Sequence, residues 1–158
     1  MKEAKLIVIC GSMIFLDKLN NIRDNLKLIG HKVVSPKLSK EEVKSGAKTF
    51  EDLVSEKGGI KKVLVNDKIW NIKTKAIRDY FKYIEKADAI LICNFTKGKE
   101  EDRIGDNAYL EMCIAFYLKK KIFVLNGPPY NSSKCEEVIA MKPTFLFGDL
   151  SKIGRAHV

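Results

Sequence analysis

Three apolar runs constrain this chain more than any other feature: Lys5-Leu-Ile-Val-Ile-Cys10, Asp88-Ala-Ile-Leu-Ile-Cys-Asn-Phe95 and Lys121-Ile-Phe-Val-Leu-Asn126. Each is short, rich in β-branched residues and continuous rather than alternating, the pattern of a strand covered on both faces. Between them the apolar period changes to that of a helix. Phe15, Leu19, Ile22, Leu26 and Ile29 predict a helix from about Phe15 to Leu28, stopped by Gly30. His31-Lys-Val-Val-Ser-Pro36 reads as a second strand closed by proline, with His31 in the exposed turn before it. Ile77, Phe81 and Ile84 mark a helix over Lys73 to Lys86, Glu136 to Met141 a last short helix, and Thr144 to Phe147 an edge strand. This alternation predicts an α/β doubly wound parallel sheet, flavodoxin-like or Rossmann-like, with five strands in the order 2-1-3-4-5. Ligands of such sheets bind beyond the strand C-termini at the point where the order reverses, here lined by Gly11-Ser12 and Asn94-Phe95.

The pattern weakens between Lys37 and Ile72, a small insertion after the second strand. Lys40 to Ser55 reads as a helix capped by Ser39, with Val43, Ala47, Phe50 and Val54 on one face and Gly58-Gly59 at its end. Lys62 to Trp70 reads as a hairpin turning at Asn66-Asp67, with Trp70 a packing residue of this excursion.

A length of 158 residues suits one domain, here 1–153, while 154–158 continues no pattern and reads as an appended tail in which His157 carries no weight. No apolar run is long enough to span a bilayer and the first strand begins almost at once, so no membrane association and a cytoplasmic location are expected. Cys10, Cys93, Cys113 and Cys135 lack metal-ligand spacing and read as reduced thiols; no metal and no cofactor is expected. The net charge of +9 comes from scattered lysines, which argues for a solvated surface rather than a nucleic-acid face while still favouring anionic small molecules.

Within Ala108 to Leu118 the only charged residue is Glu111. An unpaired carboxylate in so apolar a helix is costly, so a partner or a ligand is required. If Asp106 or Asn107 caps this helix, Glu111 falls in about its first turn, where free amides and the helix dipole keep it ionised. An ionised, partly desolvated carboxylate suits attack at a sugar anomeric carbon; a lysine partner or a capped loop amide is the alternative. Gly11-Ser12 forms a small anion-cradling turn without dinucleotide or triphosphate spacing, and Gly105-Asp106-Asn107 forms the opposite lip. For a second acid, Asp88 falls at the wrong end of the sheet. Asp79 falls nearer the cleft but on a different helix face from Ile77 and Phe81, with Arg78 and Lys75 in the same turn suited to an anionic ligand. Lys97, Lys99 and Arg103 make a charged loop that either meets a phosphorylated ligand or is simply solvated.

Cys10-Gly-Ser12, Ile84-Glu-Lys-Ala-Asp-Ala-Ile-Leu-Ile92, Ile104-Gly-Asp-Asn-Ala-Tyr-Leu-Glu111 with Ala115, and Lys121-Ile-Phe-Val124 together resemble the nucleoside 2-deoxyribosyltransferase superfamily. The chain is more narrowly similar to a prokaryotic branch of it and to deoxynucleoside monophosphate N-glycosidases. The resemblance covers most of Lys5 to Lys152 and implies a nucleoside or nucleotide ligand, a homo-oligomer, and hydrolase or transferase chemistry at an N-glycosidic bond. It puts the nucleophile on Glu111, the family's Gly-Ser turn on Gly11 and Ser12, and its helix-borne aspartate approximately on Asp79; beside these, the reading of the residues offers Asp106 as the other candidate acid and Asn94, Gly105, Asn107 and Arg78 as substrate contacts. The chain departs from the family where Gly105 stands in place of an aspartate, where Asn107 and Ala108 replace Gly-Thr, and where Asp79 lies about one residue out of register.

Overall fold

A computed structural model describes residues 5–37, 44, 46 and 49–155. Strand β1 (Leu6–Cys10) leads through a 3-10 turn at Met13–Phe15 into α1 (Leu16–Leu28), then β2 (Lys32–Val34). Helices α2 (Phe50–Glu56) and α3 (Ile60–Val63) form the insertion and precede the long α4 (Asp67–Lys86). Strand β3 (Ala89–Ile92), α5 (Asp106–Tyr117), β4 (Lys121–Val124), α6 (Cys135–Ala140), β5 (Thr144–Phe145) and α7 (Ser151–Arg155) complete the chain.

The sheet is all parallel in the order β2-β1-β3-β4-β5, as the alternation of the sequence predicts. Register pairs Cys10 with Ile92 and Ile92 with Val124, so the central strands end level with one another. Because successive strand residues face opposite ways, the continuous apolar runs fill two core layers at once. Val8, Cys10, Ile90, Ile92 and Val124 pack beneath Ile84 of α4 and Met112 of α5. Ile7, Ile9, Leu91 and Phe123 face Leu19 and Leu26 of α1 and Ile153 of α7. Asp88 ties the other end together, its carboxylate accepting a 2.8 Å bond from the Leu6 amide, as its place before β3 implies.

Four readings of the sequence need correction. The hairpin expected over Lys62 to Trp70 is helical: α4 begins at Asp67, and Asn66 caps it by accepting a 3.4 Å bond from the Ile69 amide. Asn-Asp serves equally as a turn and as a helix start, and the β-branched Val63 and Val65 tipped the reading toward strand. The helix expected from Lys40 with Ser39 as its cap has Ser39, Val43 and Ala47 outside the described residues. Lys44 is helical, and a helix then starts afresh at Phe50 under a Thr49–Asp52 capping box. His31 is half-buried rather than exposed, with Nδ1 lacking a partner among the described residues; burial and the nearby Lys5 push its pKa down. Gly154 and Arg155 extend α7 rather than starting a patternless tail. Among the described residues, no helix is long and apolar enough to cross a membrane.

The insertion has its own small core. Val54, Val63 and Ile69 are buried together, with Phe50 and Trp70 packed over them at 5.8 Å between ring centroids. Trp70 Nε1 donates to the Val63 carbonyl at 2.8 Å, so its polar edge is satisfied inside this cluster.

Candidate active site

Strand β1 ends in a turn that only glycine fits. A Cβ on Gly11 would stand 2.9 Å from Leu19 Cδ2 and 3.4 Å from Cys93 Cβ, so the chain passes there in contact with both. Ser12 then caps the 3-10 turn, its Oγ accepting a 3.4 Å bond from the Ile14 amide. Opposite, Gly105 is the N-cap residue of α5 at φ −70°, and a Cβ there would press to 3.1 Å on the Arg103 guanidinium. Between these lips lies a cavity of about 730 Å³. Its floor is Glu111 and Tyr80, its far wall the Phe50–Trp70 pair, and Lys37, Lys73, Lys97 and Arg103 bring cations around it.

Glu111 sits in the second turn of α5, because the helix starts at Asp106 rather than after it. At that depth its backbone amide belongs to the helical ladder, and the free amides expected to hold the carboxylate ionised are a turn away. Burial therefore dominates and raises its pKa to about 8; the Cys10 thiol bonded to it and the charge of Lys73 only partly oppose this. The side chain is neutral at rest near pH 7, contrary to the sequence expectation. Its Oε2 is buried without a hydrogen-bond partner among the described residues. An orphaned buried oxygen beside a cavity is the kind of group a ligand satisfies.

The neighbours of Glu111 are neutral too. Burial, with Glu111 nearby, pushes the Cys10 thiol up, and Tyr80 is pushed up in the same way. The Tyr80 hydroxyl donates to the Ile9 carbonyl, which fixes the phenol against the end of β1. At the rim, Asp106 is the opposite case: 86% of its side chain is exposed and its carboxylate lies 2.6 Å from Lys134 Nζ. Hydrogen bonding to Lys134 and that lysine's charge hold its pKa below the usual carboxylate value.

Of the residues named from the sequence, Gly11, Ser12, Gly105, Asp106, Asn107 and Glu111 all line the cavity. Asp79, Arg78 and Asn94 do not. Asp79 pairs with Lys75 one turn earlier on α4, on the side turned from the cavity lining, and Arg78 is exposed. Asn94 is fully buried and spent on the loops after β3 and β4. Its Nδ2 donates to the carbonyls of Gly127 at 2.9 Å and Asp102 at 3.2 Å, and its Oδ1 accepts from the Asn126 amide at 2.9 Å. Of the charged loop, Lys97 and Arg103 reach the cavity and Lys99 does not; Arg103 Nε also pairs with Glu100 at 2.6 Å.

Tyr80, Lys73, Phe50 and Trp70 line the cavity without having been singled out as site residues. Trp70, Lys73 and Tyr80 share one helical stripe with Ile77 and Ile84, from which a hairpin over Lys62 to Trp70 would separate Trp70, while Phe50 comes from α2. Among the described residues no cluster of His, Cys, Asp and Glu has the makings of a metal site.

No family model matches the chain, and no curated protein matches its sequence. Among solved structures it is similar to the Clostridium botulinum CMP N-glycosidase BcmB, at 11% identity over 89% of this chain and 85% of that one, with a TM-score of 0.43.

Proposed function

We propose that this protein cleaves the N-glycosidic bond of a nucleoside or nucleoside monophosphate, with Glu111 as the group that attacks or stabilises C1′. The observation that carries this reading is the buried Glu111 Oε2, which has no hydrogen-bond partner among the described residues, at the floor of a cavity of about 730 Å³. A volume in this range suits a nucleotide-sized ligand, and Ser12, Asn107, Lys97 and Arg103 offer polar and cationic groups around the mouth. No cofactor is required for such a displacement. With water as acceptor the reaction is a hydrolysis; with a second base it is a deoxyribosyl transfer.

The resting protonation state shapes the mechanism. With its pKa raised to about 8 by burial, Glu111 is mainly protonated at pH 7, so the attacking carboxylate is the minor form. A bound sugar that stabilises the anion, or a rise in pH, increases it. The same neutral state favours a second reading, a nucleotide-binding module that uses the cavity without turnover.

Product analysis separates the two. Wild type and Glu111→Gln are incubated with the common deoxynucleoside monophosphates, with and without a free base. Release or exchange of base by wild type and not by the variant is expected. Equal turnover in both removes Glu111 as the attacking group; no turnover in either, alongside ligand-induced thermal stabilisation, moves the assignment to the binding module.

A further inference from the structure

Helix α4 brings a cation, rather than an acid, to the cavity. Its cavity-facing stripe runs Trp70, Lys73, Ile77, Tyr80, and the stripe's next position, Ile84, is fully buried in the core. Lys73 is the single charged member of that stripe. The helix's acids lie elsewhere: Asp67 in the first turn, Asp79 paired with Lys75 off the stripe, and Glu85 near the C-terminus. Among the described residues Lys73 makes no ion pair within 4 Å, and its ammonium rests 5.3 Å from the centroid of the Phe50 ring. An ammonium on an aromatic face, with no carboxylate against it among the described residues, is held at low cost and can turn to a ligand acceptor. Lys73 is also near enough to Glu111 for its charge to be felt there, so the two groups flank one space.

We infer that Lys73 receives the leaving base: its ammonium donates to an acceptor beside the glycosidic nitrogen and neutralises the charge that develops on the base as the bond breaks. This rests on the N-glycosidic reading above. As Glu111 forms its bond to C1′, the C1′–N bond breaks and its electron pair stays on the base nitrogen. The departing anion takes a proton from the Lys73 ammonium and leaves as the neutral base. Water then opens the glycosyl ester, the sugar keeps the hydroxyl, Glu111 regains its carboxylate, and the released proton restores Lys73. The substrate class that fits is a nucleoside whose base has an acceptor next to the glycosidic nitrogen, such as the O2 of a pyrimidine or the N3 of a purine. Bases that are acidic when free need this help least.

The test compares Lys73→Met and Lys73→Arg with wild type on 2′-deoxyuridine and 5-fluoro-2′-deoxyuridine, whose bases differ in acidity, after unfolding curves establish that both variants fold. Lys73→Met is expected to lower kcat/KM on 2′-deoxyuridine by about 10²- to 10⁴-fold, and on the fluorinated substrate by at least about tenfold less. Lys73→Arg keeps the charge and is expected to fall between. Calorimetric titration with free 5-fluorouracil gives a readout apart from turnover: wild type binds it more tightly as the pH rises through the base's own ionisation, and Lys73→Met loses that gain. Equal losses on both substrates, no loss on either, or a wild type that neither turns over a nucleoside nor binds the base overturns the inference. Glu111→Gln, run in parallel, separates the two assignments. If it stays active while Lys73→Met shows the leaving-group pattern, the nucleophile falls and Lys73 stands; the reverse result removes Lys73 alone.

Discussion

The floor and the rim of the cavity each hold one acid of the same helix, and they are opposites. Glu111 and Asp106 are five positions apart on α5. Asp106 is open to water and bonded to Lys134, so it stays ionised; Glu111 has an unpartnered oxygen under the sheet face and stays protonated. The helix dipole favours both anions, more strongly at Asp106, yet it does not decide the outcome. Desolvation does, because removing a carboxylate from water outweighs the dipole's contribution of about 0.3–1 kcal/mol. Placement one turn deeper is enough to convert a solvated charge into a proton reservoir.

The largest expected effect tests the floor directly. Glu111→Gln is expected to reduce kcat/KM by on the order of 10³-fold or more, as for removal of a nucleophile. In wild type, kcat/KM should rise with pH through an apparent pKa near 8, measured between pH 5 and 10 on any active substrate. A profile flat across that range removes the protonated resting state.

Stability gives the next effect, and its sign follows from linkage. The Glu111 pKa is about 8 in the folded chain against an ordinary 4.5, so between these values the native state holds a proton that the unfolded chain has released. Burial of Glu111 therefore costs nothing below about pH 4.5 and progressively more up to pH 8. Glu111→Gln should be no more stable than wild type at pH 4 and more stable at pH 9, by roughly 3–5 kcal/mol in urea unfolding. Thr49→Ala, which removes one half of the capping box on α2, should cost about 1 kcal/mol independently of pH. Asp106→Asn comes last. Its exposed pair with Lys134 contributes at most about 1 kcal/mol. Because its folded pKa is depressed, that contribution is present above the ordinary aspartate value and disappears only as the solution becomes more acidic than pH 4. A loss of kcat/KM in Asp106→Asn comparable to that of Glu111→Gln would mean that rim and floor act as one unit.

The sheet and its order were legible because Leu6–Cys10, Ala89–Ile92 and Lys121–Val124 are buried on both faces and leave no other pattern open. Glu111 was legible as the one charge between Ala108 and Leu118. Its protonation state was not, since that depends on where the helix starts, and Gly105 gives no side-chain cap signal to compete with Asp106 or Asn107. Asn94 misled because a polar residue at a strand end reads as a ligand contact, when here it satisfies the buried backbone of two loops. Lys73 was not legible as a site residue because it stands first in the helix expected from Lys73, where a lysine reads as solvated; α4 begins at Asp67 instead, which sets Lys73 more than a turn inside and in line with Trp70 and Tyr80.

Helix α4 runs 20 residues, about 30 Å, as one unbroken rod. Its C-terminal half is anchored to the sheet through Ile84 while its N-terminal half carries the Phe50–Trp70 cluster of the insertion. The excursion therefore hangs from one end of a shared beam: exchanging α2–α3 would reshape the hollow and the aromatic face under Lys73 while Glu111 and the strands beneath it keep their places.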